Sequence, residues 1–576
     1  MKQVFFFILL LSTPAVSQIV AYPKNYFRSP VAIQIALSGN FGELRPNHFH
    51  TGIDITTKGV EGVPIKASAE GYVSKIKISH WGYGKVIYVT HPNGFTTVYG
   101  HLSDFNTAIA EFIKTSQYAK ESYEIELLLT PDQFNVKQGE VIAYSGNTGG
   151  SGGPHLHFEI RDTKTEEAIN PLLFSMPVKD NVAPTLFSLL VCPANTSSIV
   201  NGTNGIHKFS LIKSENEYIL QNPKDSIIIF GQVGFAIEAN DKENIPTGKN
   251  GVYGIKLECD NKIIYASQLE RMPFDKSRYI NSFIDFAEMR KNNHFYMRSF
   301  VLPNNQLPIY DSLVENGYCY FKTEGMHQFK YSISDAFGNS STLRFKVYAK
   351  AKQPTYKNVQ TNLDPFSNVI LWDTTTVFEE SSFRLEVPAG AVYKNELFKH
   401  SVIPAKGKEL SPKVFMDEMI PLQKPCTLSV YANVPENLQS RAVLAMTNKN
   451  GNKICIGGTW EENKITAEIK EFGNFTIVID STGPKISPEN FDLKGIKQSS
   501  LTSLKFIRFT ISDNFSGIAF YKASIDGNWV LMQYEPKKKY IWYNFDEHCK
   551  SGNHELVLEV IDKVGNKTTY KKSFNR

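Results

Sequence analysis

Hydrophobic and polar residues alternate with a period of two through most of this chain, the pattern of strands that bury one face. In "HLHFEI", Leu156, Phe158 and Ile160 share one face, while His155, His157 and Glu159 share the other. "GYVSKIKI" (Gly71–Ile78) and "KVIYVTHPNGFTTVYGHL" (Lys85–Leu102) alternate in the same way, and "HPNG" predicts a hairpin turn between two strands. One stretch departs from the pattern. Ala108, Ile109, Phe112 and Ile113 recur at helical spacing and predict a helix from Asn106 to about Glu121.

Beyond residue 178 the pattern is all β, and it repeats. Gly325, His327, Phe329, Tyr331, Ile333, Asp335, Gly338 and Asn339 match Gly552, His554, Leu556, Leu558, Val560, Asp562, Gly565 and Asn566 position for position. Each copy is an alternating strand that ends in an Asp-x-x-Gly-Asn turn. "DNVAP" at Asp180 and "DSTGP" at Asp480 open the two copies; "GVYGI" (Gly251–Ile255) and "NFSGI" (Asn514–Ile518) each follow a strand ending in Asp. Two similar β-sandwich modules of immunoglobulin-like type are expected, over 180–350 and 481–576. Between them, 355–480 reads as a further β-sandwich with a weak resemblance to ZU5-like domains. The Asp-rich turns hold no complete loop of calcium ligands, and local turn chemistry accounts for them.

At 576 residues the chain exceeds one hydrophobic core, consistent with several domains, and its 41% hydrophobic and 21% charged residues are those of a globular protein. A net charge of +5 with no basic run offers no nucleic-acid surface. Lys2, the apolar run Val4–Leu11, Pro14 and the small residues before Gln18 predict a secretory signal peptide over 1–17. That run is too short to span a bilayer and no later run is long enough, so an exported mature chain without a transmembrane segment is expected, in the periplasm, the cell envelope or outside the cell. Six cysteines form no C-x-x-C pair; Cys426 with Cys455 is the most plausible local disulfide, and buried free thiols fit equally well.

Seven of the thirteen histidines fall between His48 and His157. Thr51, Gly52 and Ile53 disfavour a helix through "HTGID", and in a straight strand His50 and Asp54 would stand about 13 Å apart. A bend at Gly52 would let both reach one ion. Two imidazoles and a carboxylate form a catalytic zinc set that leaves a fourth position for water.

"HTGID" (His50–Asp54), "YGHL" (Tyr99–Leu102) and "GNTGGSGGPHLHFEI" (Gly146–Ile160), in that order, resemble the signature of lysostaphin-type, LytM-like zinc metallopeptidases, bacterial endopeptidases that cut peptidoglycan peptides. The resemblance covers roughly 30–175. It implies an antiparallel β-sheet peptidase domain over 18–178, one Zn2+ per chain held by His50, Asp54 and His157, and His101 with His155 as the non-ligand catalytic pair. In such a site zinc acidifies water and polarises the scissile carbonyl, while the two imidazoles divide proton transfer and oxyanion stabilisation. His48, His80 and His91 match no motif position and are expected at the surface or a pocket rim; Arg45 reads as a surface arginine or a contact for a substrate carboxylate.

G-x-S-x-G at Gly149–Gly153 is followed by Pro154 and a strand, not the helix a nucleophile elbow requires, which argues against a serine hydrolase. "NHEL" at Asn553 lacks the second His of H-E-x-x-H. The segment Ser103–Gly139 is long for the compact family core and is expected to wall or cover the groove. A mainly β, exported endopeptidase acting on peptidoglycan peptides is the resulting expectation, with its β-sandwich modules contacting cell-wall or cell-surface partners. The resemblance also offers an alternative, a catalytically silent or occluded LytM-like domain that binds cell wall and regulates other hydrolases, as do family members that have lost zinc ligands; the intact His50, Asp54, His101, His155 and His157 argue against it.

Overall fold

The computed structural model describes residues 22–222, 226–245, 248–352, 368–407, 409–490 and 504–576. The expected signal peptide lies outside them. The chain is built mainly of antiparallel β-sheets: a first β domain that carries one long helix, followed by further β domains.

In the first domain seven strands form the main sheet: β1 (Leu37–Gly39), β2 (Ile53–Thr56), β3 (Gly71–Ile78), β4 (Lys85–Thr90), β5 (Phe95–Leu102), β6 (Ile125–Leu128) and β7 (His155–Asp162). Their order is β1-β2-β7-β5-β4-β3-β6, with every neighbouring pair antiparallel. The alternation of β7 is realised: Leu156, Phe158 and Ile160 are fully buried against Ile53, Ile55 and Tyr99 in the domain's core. Helix α1 (Thr107–Lys120) has Asn106 as N-cap, its side chain accepting from the Ile109 N–H, and it buries Ile109 and Ile113.

A second core gathers residues 186–349 and takes in Phe41 and Phe49 from the first domain. Its strands join one continuous twelve-stranded sheet. A third core belongs to residues 370–477, in two main five-stranded sheets. A fourth belongs to residues 507–574, in two four-stranded sheets. The two copies of the repeat are hairpins of the same build, Gly325–Ser334 with Ser340–Ala349 and Asn553–Asp562 with Lys567–Asn575. Cys426 and Cys455 lie in different sheets, and all six cysteines are free thiols, five of them buried.

Candidate metal centre

Three strands meet where the histidine-rich motifs converge. On β7, His157 stands directly opposite Asp54 of β2 on one side and Gly100 of β5 on the other. Directly opposed residues in an antiparallel pair share a face, so Asp54 and His157 face the same space. His50 arrives over a bend at Gly52, where a Cβ would lie 2.6 Å from the Phe158 carbonyl oxygen and 2.9 Å from His157 Cε1. Only glycine lets the chain pass this close.

His101 is placed by a break in the alternation. In a regular strand it would face away from its neighbour Gly100, and so away from His157. Its φ of +60° departs from strand geometry and brings its ring centroid to 4.8 Å from His155 and 5.8 Å from His157. Left-handed backbone at a residue with a Cβ costs of order 1 kcal/mol, a strain kept where it serves the site.

His50 Nε2, Asp54 Oδ1 and His157 Nδ1 form a triangle with edges of 3.1, 2.9 and 3.0 Å. The far nitrogen of each imidazole is already engaged: His50 Nδ1 donates to the Asn40 carbonyl (2.8 Å) and His157 Nε2 donates to Glu159 Oε1 (2.8 Å). Asp54 Oδ2 accepts from Arg45 Nη2 at 2.6 Å, which leaves Oδ1 for the triangle. The outer bonds fix the tautomers so that ligand atoms converge on one point, the arrangement that metal-binding histidines require.

Burial and charge act differently on the three. Burial pulls the His50 imidazole down to about 4 despite Asp54. Burial opposes the charge of Asp54, yet His50, His155 and His157 together hold it well below the usual carboxylate range. His157 is also opposed by burial, but its hydrogen bonds to Asp54 and Glu159 raise it to about 9. Burial and the neighbouring His157 and His155 lower His101 to about 3. Its Nδ1 donates to the Thr148 carbonyl at 2.8 Å, so Nε2 carries a free lone pair. His155 Nδ1 donates to the Gly153 carbonyl at 2.8 Å, and its Nε2 lies 3.4 Å from Asp54 Oδ1.

All five motif residues therefore come together, along with others that the motif reading passed over. Glu159 is wholly buried and accepts from His157, Thr51 (3.0 Å), Tyr83 (2.5 Å) and, through Oε2, Arg161 (2.6 Å). The signal was its place on the face of His155 and His157. Arg45 is not a free surface group: it bridges Glu43 and Asp54. His91, expected at the surface or a pocket rim, is buried and bonded to the Glu70 carbonyl and Thr97 Oγ1. His48 is exposed, as expected.

The last β unit docks on the rim. Lys537 Nζ reaches the carbonyls of Asn147 (2.5 Å) and Ser151 (2.9 Å) in the glycine-rich loop. On α1, Tyr118 stacks on His548 with centroids 3.7 Å apart and donates to Asp546, while Lys114 pairs with Asp546 and Glu547. The Ser103–Gly139 segment thus serves as a platform for that unit. His80 lies in the same junction, 3.3 Å from the Tyr521 hydroxyl. A cavity of about 400 Å³ remains between the two, lined by Lys85, Tyr123 and Thr148 on one side and by Arg508, Tyr534 and Trp542 on the other.

Residues 48–121 and 124–171 match Peptidase family M23, and residues 367–480 match the Zu5-like domain. DD-carboxypeptidase/endopeptidase Mpg of Neisseria meningitidis serogroup B is 35% identical over 166 residues, 28% of this chain and 32% of that protein. Peptidoglycan DD-endopeptidase ShyC of Vibrio cholerae is 31% identical over 144 residues, 24% of this chain and 27% of that one. The chain thus spans about a third or less of the length of these relatives. The catalytic domain of lysostaphin from Staphylococcus simulans superposes with a TM-score of 0.19 at 25% identity, covering 24% of this chain and 91% of that one.

Proposed function

From the Peptidase family M23 domain within residues 48–171, we propose that this protein is an exported zinc metalloendopeptidase that hydrolyses peptide cross-links of bacterial peptidoglycan. His50, Asp54 and His157 hold one zinc ion per chain. The observation that carries this reading is the triangle of three ligand atoms about 3 Å apart, each oriented by an outer hydrogen bond. The donor set fits: two imidazole nitrogens and one carboxylate oxygen form a catalytic zinc set. Zinc, when bound, supplies Lewis acidity that lowers the pKa of water and polarises a carbonyl.

The chain's own groups do the rest. His101, held neutral and with Nε2 open, accepts a proton from the attacking water. His155 faces the same space and, with His101, serves the oxyanion and the leaving amine. Glu159, bonded to Thr51, Tyr83 and Arg161, keeps His157 in register. Relatives named as DD-endopeptidases and a DD-carboxypeptidase make DD peptide bonds the first to test.

A second reading, in which the last β unit restricts the site and the domain works as a regulated or silent one, is favoured by the Lys537 contacts to the glycine-rich loop. One experiment addresses both: digestion of purified cross-linked peptidoglycan by the zinc-loaded full chain, with products separated by chromatography and His50→Ala as control. Loss of cross-linked fragments with the intact protein alone is expected. An unchanged pattern with zinc confirmed in place rejects the peptidase reading for the resting protein and favours the restricted one.

A further inference from the structure

Two groups of aspartates recur at matching places in the repeated units. Asp180, Asp241 and Asp335 bring one carboxylate oxygen each within 4.8 Å of one another, and Asp480, Asp513 and Asp562 do the same. Asp180 and Asp480 open the two copies, Asp241 and Asp513 follow corresponding strands, and Asp335 and Asp562 begin the Asp-x-x-Gly-Asn turns. The correspondence extends to single bonds. Asn339 Nδ2 donates to the Asp180 carbonyl and Asp335 Oδ2; Asn566 Nδ2 donates to the Asp480 carbonyl and Asp562 Oδ2.

Turn chemistry explains only part of this. Asp335 Oδ1 accepts from the Phe337 and Asn339 N–H groups, and Asp562 Oδ1 from those of Val564 and Asn566. Yet Asp241 is 3% exposed and its Oδ1 has no partner, and the Oδ2 atom of half-buried Asp180 is buried without one as well. Asn250 pairs with Asp241 across a β-bridge, so its side chain lies on the same face, and its Oδ1 is also buried without a partner. In the second group Asp513 Oδ1, Asn566 Oδ1 and Ser516 Oγ are the buried atoms without partners. A buried oxygen without a donor loses free energy comparable to a hydrogen bond, and here such oxygens occur in both copies. Burial and the neighbouring Asp180 and Asp335 push Asp241 up to about 7; burial and Asp180 push Glu243 up to about 8, with no basic side chain opposing either.

We propose that Asp180, Asp241 and Asp335 bind a calcium ion where the first β unit meets the catalytic domain, and that Asp480, Asp513 and Asp562 form the equivalent site at the start of the last unit. The donors are all oxygen, with no nitrogen or sulfur among them, which selects a hard cation over zinc. Calcium accommodates six to eight oxygens in flexible geometry, so the asparagine oxygens, backbone carbonyls and water complete the shell. The first site adjoins the catalytic sheet. Glu243 accepts from the Leu37 N–H of β1, and Gly251, beside Asn250, exchanges two hydrogen bonds of 2.7 Å with the side chain of Asn40, whose carbonyl holds His50. Calcium there locks the joint that supports the zinc ligand loop.

The test is calcium titration of the full chain, stripped with EDTA and reloaded with one equivalent of zinc, by calorimetry and thermal melting. Two calcium ions per chain are expected, with dissociation constants of about 10⁻³ M or tighter, a rise in Tm, and a weaker response to magnesium. Asp241→Asn and Asp513→Asn should each reduce the count to one, and the double variant should lose the Tm response. If Asp241→Asn does not fold, loss of one ion in Asp513→Asn still supports the repeat-wide assignment. Absence of binding up to about 10 mM calcium, or an unchanged count in both single variants, overturns the proposal.

Discussion

His157 and Glu159 stand two residues apart on one strand and are joined by a 2.8 Å hydrogen bond that fixes which imidazole nitrogen faces Asp54. The carboxylate is itself held by Thr51, Tyr83 and Arg161, all from the same domain. Glu159→Gln should weaken zinc binding about 10- to 100-fold, the usual effect of removing such a support. It should also lower Tm, because buried Arg161 loses its charge partner. Zinc competition with a chromophoric chelator reads the first effect and calorimetric melting the second; zinc affinity equal to wild type would dismiss Glu159 as a positioning residue.

The charge states of the ligands set a proton stoichiometry. His157 is raised to about 9 while His50 is lowered to about 4 and Asp54 lies well below its usual range. At pH 7 the metal-free site therefore carries one displaceable proton, on His157. Zinc binding should release about one proton, and affinity should rise roughly tenfold per pH unit from about pH 5 to about pH 9, flattening above it. Calorimetry in buffers of different ionisation enthalpy measures the proton count; release of two, or of none, contradicts the assignment.

Separation of metal binding from turnover is the next expectation. His157→Ala and Asp54→Ala should lose stoichiometric zinc. His101→Ala should keep it while turnover falls about 10²- to 10⁴-fold, the range for loss of a general base. Metal analysis beside product release distinguishes the two groups.

The first domain should not stand alone. Phe41 and Phe49 are 1% exposed and belong to the core of the next unit, and Phe49 N–H donates to Ser277 Oγ at 2.9 Å. A fragment ending at residue 178 uncovers both rings, a loss of about 1.5–3 kcal/mol for each, and frees Asn40 from Gly251. It should melt well below the full chain and bind zinc more weakly. Equal melting of the two would show the contact to be dispensable.

How much of this was legible beforehand depends on range. The face shared by His155, His157 and Glu159 follows from a period of two, and the helix at Thr107–Lys120 from its apolar spacing, both local properties. The bend at Gly52 was foreseeable because His50 and Asp54 cannot otherwise meet. The bond from Arg45 to Asp54 follows from no local pattern, because the hairpin that carries Arg45 does not pair with the strand of Asp54. The burial of His91 follows from no local pattern, because its partners, the Glu70 carbonyl and Thr97 Oγ1, lie outside its own turn. The link from Lys537 to Asn147 spans 390 residues, and no local pattern encodes it.

That long link also imposes an order in time. The first domain leaves the ribosome, N-terminus first, long before Lys537, Asp546 and His548 are made. While the chain is growing, its glycine-rich loop and the outer face of α1 have no partner. The growing protein therefore differs at its rim from the one that carries this unit, and whatever the unit does to the groove begins only once it has been made.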